Sequence, residues 1–190
     1  MARKNEGKQF EDNWKSSIPE NVLYYRLKDS AQSFGFKNNE NTNLRFSLKN
    51  PCDCFLFCSP YFFTIELKST VSTSISFERE KNQKDKKMIH YHQINGLNKF
   101  SKYNFVISGF LFNFRKKDEN DILYYQDIID FENMINEITK MSFNEADLMK
   151  YNAIIVNSKK LKVNYRYDVT KFIGDAVKIR KGHRVWENLD

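Results

Sequence analysis

Two short apolar runs, residues 54–57 and 61–65, stand near the middle of the first half of the chain, separated by the turn-forming pair Ser59-Pro60. Apolar runs joined in this way predict an antiparallel β-hairpin. In the second strand apolar and polar positions alternate: Phe63, Ile65 and Leu67 against Thr64, Glu66 and Lys68. This period of two predicts that one face of the strand is apolar and that the other carries two charges.

The charged pair Glu66 and Lys68 therefore lies on one face of a strand whose surroundings are hydrophobic. Burying charge without a partner or a metal ion is costly, and Asp53, just before the first strand of the hairpin, can reach the same place. One acidic residue followed by an acid-x-Lys pair on the next strand is suited to hold a divalent cation beside a general base. We interpret this group as a catalytic centre; the alternative is an exposed cross-strand ion pair.

The rest of the chain predicts a mixture of helices and strands. Phe10 and Trp14, four residues apart, indicate a helix over 6–17, and residues 22–27 have the pattern of a strand. Further helices are predicted at 89–101, 127–140, 144–151 and 169–178, and strands at 104–114, 122–125, 153–156 and 161–165, the last two as candidates for pairing. Gln93 falls on the apolar stripe of its helix, so it needs a partner, either a backbone group or the catalytic centre.

Two polar segments flank the hairpin. Residues 37–50 are Asn-rich and without periodicity, which predicts a long loop that Arg45 and Lys49 make net basic. Residues 69–87 are rich in Ser and Thr and then highly charged, which predicts either a solvated mobile loop or a basic flap over a bound strand. The basic stretch at 178–184 is either a phosphate contact or a solvated end.

Composition narrows the class of protein. The chain has 190 residues, of which 41% are hydrophobic, so it can build one domain with a core. Its net charge of +7 fits a polyanionic partner such as nucleic acid. No apolar run approaches the ~20 residues of a membrane span, and the first residues lack the apolar segment of a signal peptide. We therefore expect a cytoplasmic protein that does not associate with a membrane.

The three cysteines, Cys52, Cys54 and Cys58, are an odd number within seven residues, so they cannot form a disulfide framework. A zinc site uses about four ligands, and the three histidines that would have to complete one are distant in sequence. Free cysteine behaves as a small hydrophobic residue. Buried, reduced thiols are therefore the expected state.

The order helix, strand, hairpin with Asp and Glu-x-Lys, helix, strand resembles the core of the PD-(D/E)xK nucleases. Pro51-Cys-Asp53 and Glu66-Leu-Lys68 are similar to its signature, with one extra residue between the proline and the acid. Gly7-Lys-Gln-Phe-Glu11, His90-Tyr-His-Gln93 and the 13-residue spacing from Asp53 to Glu66 resemble RecU-type Holliday junction resolvases. The likeness extends over about residues 5–115.

The resemblance implies an α/β fold of the restriction-endonuclease type, with a mixed central sheet flanked by helices in about residues 5–126. It leaves residues 127–190 as an additional C-terminal α+β extension of a single nuclease domain, 1–190. The sequence departs from the family at Cys52, where threonine is expected, and before Pro51, where the excursion is shorter than the family's stalk. A soft sulfur suits Mg²⁺ poorly, so Cys52 is given no ligand role.

For function, the resemblance implies an endonuclease, dependent on Mg²⁺ with Mn²⁺ able to substitute, that resolves four-way DNA junctions as a homodimer. Lys68 would position or deprotonate the attacking water, and Gln93 would orient that water or complete the metal shell. The implied site residues are Asp53, Glu66, the Leu67 backbone carbonyl and Gln93 for the metal, and Lys68, Gln93 and Glu11 for catalysis.

DNA contacts are expected from basic residues of the two polar segments: Arg45, Lys49, Lys84, Lys86 and Lys87. Two other functions stay open. One is a different PD-(D/E)xK nuclease, of the restriction or repair type; the other is a nuclease-like DNA-binding protein without activity. The presence of Asp53, Glu66 and Lys68 together argues against the inactive form.

Overall fold

In a computed structural model, the chain is described over residues 6–27, 50–81, 87–116 and 120–183. The predicted loop at 37–50 falls outside these ranges except for its last residue. The helices are α1 Glu6–Lys15, α2 Tyr91–Ser101, α3 Ile128–Glu137, α4 Glu145–Lys150 and α5 Val169–His183. The strands are β1 Leu23–Arg26, β2 Cys54–Cys58, β3 Tyr61–Thr70, β4 Ser74–Ser76, β5 Val106–Phe114, β6 Ile122–Asp127, β7 Ser142–Asn144, β8 Ile154–Val156, β9 Ser158–Leu161 and β10 Asn164–Tyr167. None of these helices is long and apolar enough to cross a membrane.

Six strands form the central sheet, in the order β1-β2-β3-β5-β6-β8. β3 and β5 run parallel, from Phe62 opposite Val106 to Thr70 opposite Phe114, and the other neighbours are antiparallel. Parallel neighbours require a crossover connection, and α2 lies on that connection. The predicted mixed sheet flanked by helices is therefore confirmed, and the predicted β2–β3 hairpin supplies its second and third strands.

Each face of the sheet is covered by its own apolar cluster. On one face α1 and α5 contribute Trp14 and Phe172, and on the other α2 contributes Leu97. Side chains alternate between the two faces along a strand. Leu67 of β3 therefore joins the cluster of α1 and α5, whereas Glu66 points to the face that α2 covers.

The predicted pairing of residues 153–156 with 161–165 is wrong. β8 instead lies beside β6 at the edge of the main sheet, with Val156 opposite Leu123, and β9 pairs with β10. β9 is exposed along its whole length, so its sequence has no alternation that would mark it as a strand. β10 does alternate, and its Tyr167 packs edge-on against a ring of α1.

The prediction of a solvated loop over 69–87 is wrong for its first half. β3 continues into this segment, and β4 follows and pairs with β7, with Ile75 opposite Phe143. Ile75 and Phe77 are fully buried in the cluster on the α2 face. These two apolar side chains anchor a stretch whose composition is otherwise polar. Residues 82–86 lie outside the described part of the chain.

The C-terminal part of the chain packs onto the same sheet. β8 is the edge strand, and α5 contacts β5, β6 and β8. In α5 the fully buried Arg180 pairs with Asp127, with 3.0 Å between Nη2 and Oδ2, and donates to the Ser108 carbonyl of β5 at 3.3 Å. The division of the chain near residue 127 stays a prediction.

Candidate functional site

β3 presents Glu66 and Lys68 side by side on the face of the sheet that α2 covers. Lys68 Nζ lies 3.0 Å from Glu66 Oε1, and only 3% of the Glu66 side chain and 15% of the Lys68 side chain are exposed. An exposed cross-strand pair does not describe them, because both belong to one strand and both are largely buried. A buried ion pair loses more solvation than it regains unless further groups satisfy it, so the neighbouring contacts decide what the pair can do.

Asp53 lies in the loop before β2 and is fastened to β3 by two hydrogen bonds. Its backbone N–H donates to the Ile65 carbonyl at 3.1 Å, and its Oδ2 accepts the Leu67 N–H at 2.8 Å. In an extended strand the N–H and the C=O of one residue point to the same edge. The Leu67 carbonyl is therefore directed to the edge where Asp53 lies, which brings a carboxylate and a carbonyl oxygen together beside Glu66.

Gly96 in α2 allows the loop that carries Asp53 to approach the helix closely. A Cβ atom at Gly96 would lie 2.6 Å from the carbonyl oxygen of Pro51 and 3.1 Å from its Cα. Packed interiors do not accommodate contacts this short without movement, so a larger residue would displace the loop or the helix. The position of Asp53 is thereby coupled to α2, which also carries Gln93.

Gln93 has its partner in Glu66. Its Nε2 donates to Glu66 Oε1, while its Oε1 accepts the His90 N–H at 2.9 Å. The orientation of the amide is fixed at both ends, because a carboxylate accepts hydrogen bonds and a backbone N–H donates them. In this arrangement Gln93 orients Glu66. A role for Gln93 as a metal ligand stays a prediction. To bind a metal, Gln93 would have to use its side-chain oxygen, and here that oxygen accepts the His90 N–H.

The first turn of α2 is held by Glu78, which the sequence did not mark as a site residue. Glu78 Oε2 accepts the Tyr91 N–H at 2.8 Å, and Oε1 lies 2.8 Å from His90 Nδ1. A carboxylate at a helix N-terminus satisfies N–H groups that have no partner within the helix and interacts favourably with the helix dipole. Glu78 thereby helps to fix the turn from which Gln93 reaches the site.

Arg26 of β1 is the principal site residue that the sequence analysis missed. Its Nη2 lies 3.1 Å from Glu11 Oε2, and its Nη1 lies 3.1 Å from Asp53 Oδ1 and 3.2 Å from the Asp53 carbonyl. Glu11 therefore contacts Arg26 and reaches the site through it. Hydrogen bonds between ionised groups are stronger than neutral ones, so this chain of three charges steadies the carboxylate of Asp53. In the sequence, the sign that Arg26 has a special role was that it is the one charged residue of β1, after one leucine and two tyrosines.

The electrostatics of the site favour a cation. Burial raises the pKa of Glu66 to about 7; the Lys68 ammonium opposes this shift, and the nearby Asp53 carboxylate adds to it by repulsion. Two carboxylates that share a site are costly to ionise together. A divalent cation between Asp53 and Glu66 would remove that repulsion. This preference for a cation follows from the residues present and not from any resemblance.

The donor atoms match a hard cation better than zinc. Mg²⁺ is commonly held by one or two carboxylates while it keeps several waters, and Asp53, Glu66 and the Leu67 carbonyl offer oxygen donors of that kind. Within the described ranges, no three His, Cys, Asp or Glu side chains form a metal-binding group. Burial raises the pKa of the Cys52 thiol to about 12, so it stays neutral. All three cysteines are free; Cys52 and Cys54 are buried, as expected, whereas Cys58 is partly exposed.

Most of the predicted DNA contacts cannot be related to this site. Arg45, Lys49, Lys84 and Lys86 lie outside the described residues. Lys87 is described and half-buried, four residues before α2 begins at Tyr91. A DNA contact at Lys87 stays a prediction.

The fold and this site together define a class: a mixed α/β protein with a buried acid–lysine pair on a strand of its central sheet and a second acid hydrogen-bonded to the same strand. No family model matches the chain. The chain is 35% identical to the SPbeta prophage-derived uncharacterized protein YotM of Bacillus subtilis (strain 168), over 190 aligned residues that cover 94% of this chain and 90% of that protein. The chain belongs to the same family as YotM.

Among solved structures, the chain is similar to Hjc of Archaeoglobus fulgidus, a Holliday junction resolvase. The TM-score is 0.40 and the sequence identity 11%, with 75% of this chain and 87% of Hjc covered. Similarity at this level carries no argument about fold family or activity, and the RecU-type resemblance stays a prediction. Function is therefore argued from the residues of the site.

Proposed function

We propose that this protein is a Mg²⁺-dependent DNA endonuclease that resolves four-way junctions in recombination and repair by hydrolysing phosphodiester bonds. One observation carries the proposal: the buried carboxylate of Glu66 contacts both Lys68 and Gln93 and lies beside Asp53. If Glu66 and Lys68 formed only a structural ion pair, no second carboxylate would be needed beside Glu66, because Asp53 makes the ionisation of Glu66 more costly. The net charge of +7 supports DNA as the substrate.

The residues divide the chemistry between them. Asp53, Glu66 and the Leu67 carbonyl would hold Mg²⁺, with Mn²⁺ as a substitute, and the bound ion would stabilise negative charge on the phosphate. Lys68, held in place by Glu66, would position the attacking water and offset charge in the transition state. The water oxygen attacks phosphorus in line, the bond to the 3′-oxygen breaks, and a 5′-phosphate and a 3′-hydroxyl remain. Gln93 keeps Glu66 turned towards the site throughout.

A homodimer is the simplest enzyme for a junction with two-fold symmetry, because the two-fold axis of the dimer relates two identical active sites. The sheet edge formed by β1 and β2 supports such an assembly. Leu23, Tyr25 and Phe57 there are 59%, 55% and 42% exposed, and Leu23 lies opposite Phe57. Exposed apolar side chains on an edge strand favour contact with another chain. This edge is the proposed dimer contact.

The test is cleavage of a synthetic four-way junction, compared with a linear duplex of the same sequence, in Mg²⁺ and in EDTA. The wild-type protein should cut the junction in Mg²⁺ only, and Asp53→Asn should abolish cutting while much of the DNA affinity remains, because phosphate contacts dominate affinity. Asp175→Asn, which removes a carboxylate on α5, is the matched control and should cut normally.

The outcomes separate the candidate functions. Equal cutting of the duplex would indicate another nuclease of the same type, with a restriction or repair role. Junction binding without cleavage by the wild-type protein would indicate a DNA-binding protein without activity. Substantial cleavage by Asp53→Asn would contradict the site assignment itself.

A further inference from the structure

A cavity of about 560 Å³ lies away from the proposed nuclease site, between α1, the ends of β3 and β5, and the β9–β10 hairpin. None of Asp53, Glu66, Lys68 or Gln93 lines it. Its volume is in the range of sites that bind small molecules in proteins. A space of this size, bounded by three separate parts of the fold, can hold a small molecule, and its walls indicate the chemistry of that molecule.

The walls carry an excess of positive charge. Among the described residues, Arg115, Lys116 and Lys160 line the cavity together with one carboxylate, Asp121. Arg115 also has a partner within the protein. Lys116 is partly engaged elsewhere, because its Nζ lies 3.4 Å from a Glu145 oxygen. Cations on the wall of a cleft attract anions, and an arginine paired with lysines is typical of phosphate recognition. The cavity therefore favours a ligand with a phosphate group.

One wall also presents a buried hydrogen-bond acceptor. Asn113 is 2% exposed, and its Oδ1 has no donor among the described residues. Its Nδ2 donates to Ser69 Oγ at 3.3 Å, and the amide also hydrogen-bonds to Asp121. Turning the amide would place its oxygen against the Asp121 carboxylate, which cannot donate. Buried acceptors are normally satisfied, so a ligand that fits must bring an N–H or O–H donor to Asn113.

Aromatic surface completes the lining. Phe10 of α1 and Tyr165 of β10 both line the cavity. Tyr165 is fixed there, since its hydroxyl accepts the Asp121 N–H at 3.1 Å and its ring stacks on that of Tyr167 at 6.4 Å between centroids. The two residues are only 2% and 6% exposed, so each ring offers a small part of its surface to the cavity. Fixed aromatic rings favour a planar, partly apolar group on the ligand at that point.

We infer that this cavity binds a 5′-nucleotide, with its phosphate at Arg115 and Lys160, an N–H group of its base at Asn113, and the base against Phe10 and Tyr165. Phosphate, ring and ring-bound N–H donor occur together in a nucleotide, whereas a sugar phosphate lacks the ring. The nucleotide comes either free from solution or as one unit of a DNA strand. The inference is independent of the proposed nuclease activity.

The experiment is isothermal titration calorimetry of the full-length protein with each deoxynucleoside 5′-monophosphate, and with deoxyribose 5-phosphate and inorganic phosphate for comparison. A 5′-phosphorylated trinucleotide forms the second arm. Lys160 is exposed and its replacement should not disturb folding, so Lys160→Gln is the test variant. It should weaken binding on the order of tenfold, as expected for one lost charged contact. Lys159→Gln, the same charge change one residue away and outside this cavity, should bind as the wild-type protein does.

Binding of a mononucleotide that Lys160→Gln weakens and Lys159→Gln does not would support the inference, with the free nucleotide as the source. The same pattern with the trinucleotide alone would support it with a DNA strand as the source. Deoxyribose 5-phosphate or inorganic phosphate binding as tightly as the nucleotides would overturn it, as would equal affinities for Lys160→Gln and the wild-type protein or no binding in either arm. Asp53→Asn should bind the nucleotide normally, which separates this cavity from the nuclease site.

Discussion

Replacing Glu66 by glutamine should stabilise the fold at pH 8 and leave it nearly unchanged at pH 5. Burial raises the pKa of this carboxyl to about 7, against the opposing effect of Lys68 and with repulsion from Asp53. A raised carboxyl pKa means that the folded protein holds the proton more tightly than the unfolded chain does. The stability contributed by the protonated group is fully present below its ordinary pKa of 4.5 and is lost as the pH rises through about 7.

The size of the effect follows from that shift. Each pKa unit corresponds to about 1.4 kcal/mol, so a rise from 4.5 to about 7 gives an upper bound of about 3 kcal/mol above pH 7. The substitution also leaves Lys68, which is 15% exposed, without its carboxylate partner, and this loss offsets part of the gain. We expect a net gain of about 1–2 kcal/mol, or roughly 2–8 °C in melting temperature for a chain of this length.

The assay is thermal unfolding of both proteins in EDTA at pH 5, 6.5 and 8, with Glu20→Gln as the control because Glu20 is exposed. Mg²⁺ added at pH 8 should raise the melting temperature of the wild-type protein more than that of Glu66→Gln, since a ligand of the folded state stabilises it. If Glu66→Gln melts at or below the wild-type temperature at pH 8, the electrostatic account of the site is refuted. If the melting temperature of Glu66→Gln rose by the same amount at pH 5, the ionisation of Glu66 could not be the cause of the gain at pH 8.

Three other outcomes are expected. Lys68→Ala should slow cleavage by roughly 10²-fold or more with little change in junction affinity, the scale of losing a group that stabilises charge in the transition state; a normal rate with collapsed affinity would make Lys68 a DNA contact. Gly96→Ala should lower the free energy of unfolding by about 1–3 kcal/mol in urea and slow cleavage, because its Cβ would press on Pro51; an unchanged rate would disconnect α2 from the Asp53 loop. Phe57→Lys should make the protein monomeric in sedimentation experiments while the chain stays folded, with a lower melting temperature because the dimer contact no longer stabilises it; a wild-type protein that is itself monomeric would contradict the proposed edge contact.

The sequence predicted those parts of the site whose pattern is local. The alternation of Glu66 and Lys68 with apolar neighbours is visible within seven residues, and the hairpin brings Asp53 beside them once the strands pair. Arg26 could not be found in this way, because its partners lie in α1 and in the loop before β2, and only the folded sheet joins them. No local period marks such a residue.

The errors in the fold have the same origin. β9 lies on the surface on both sides, so no burial pattern distinguishes it from a loop. The strand predicted at 161–165 was therefore paired with residues 153–156, whereas β10 pairs with β9. β4 was hidden because a Ser- and Thr-rich composition outweighed two apolar residues, Ile75 and Phe77. Their burial depends on Phe143, which is distant in the sequence.

The buried contact between Arg180 and Asp127 couples these two positions within the family. A relative in which an uncharged side chain replaced Arg180 would leave the acid at the end of β6 enclosed by the protein with no opposite charge, at a cost of roughly 3–5 kcal/mol. Relatives should therefore retain both charges or neither.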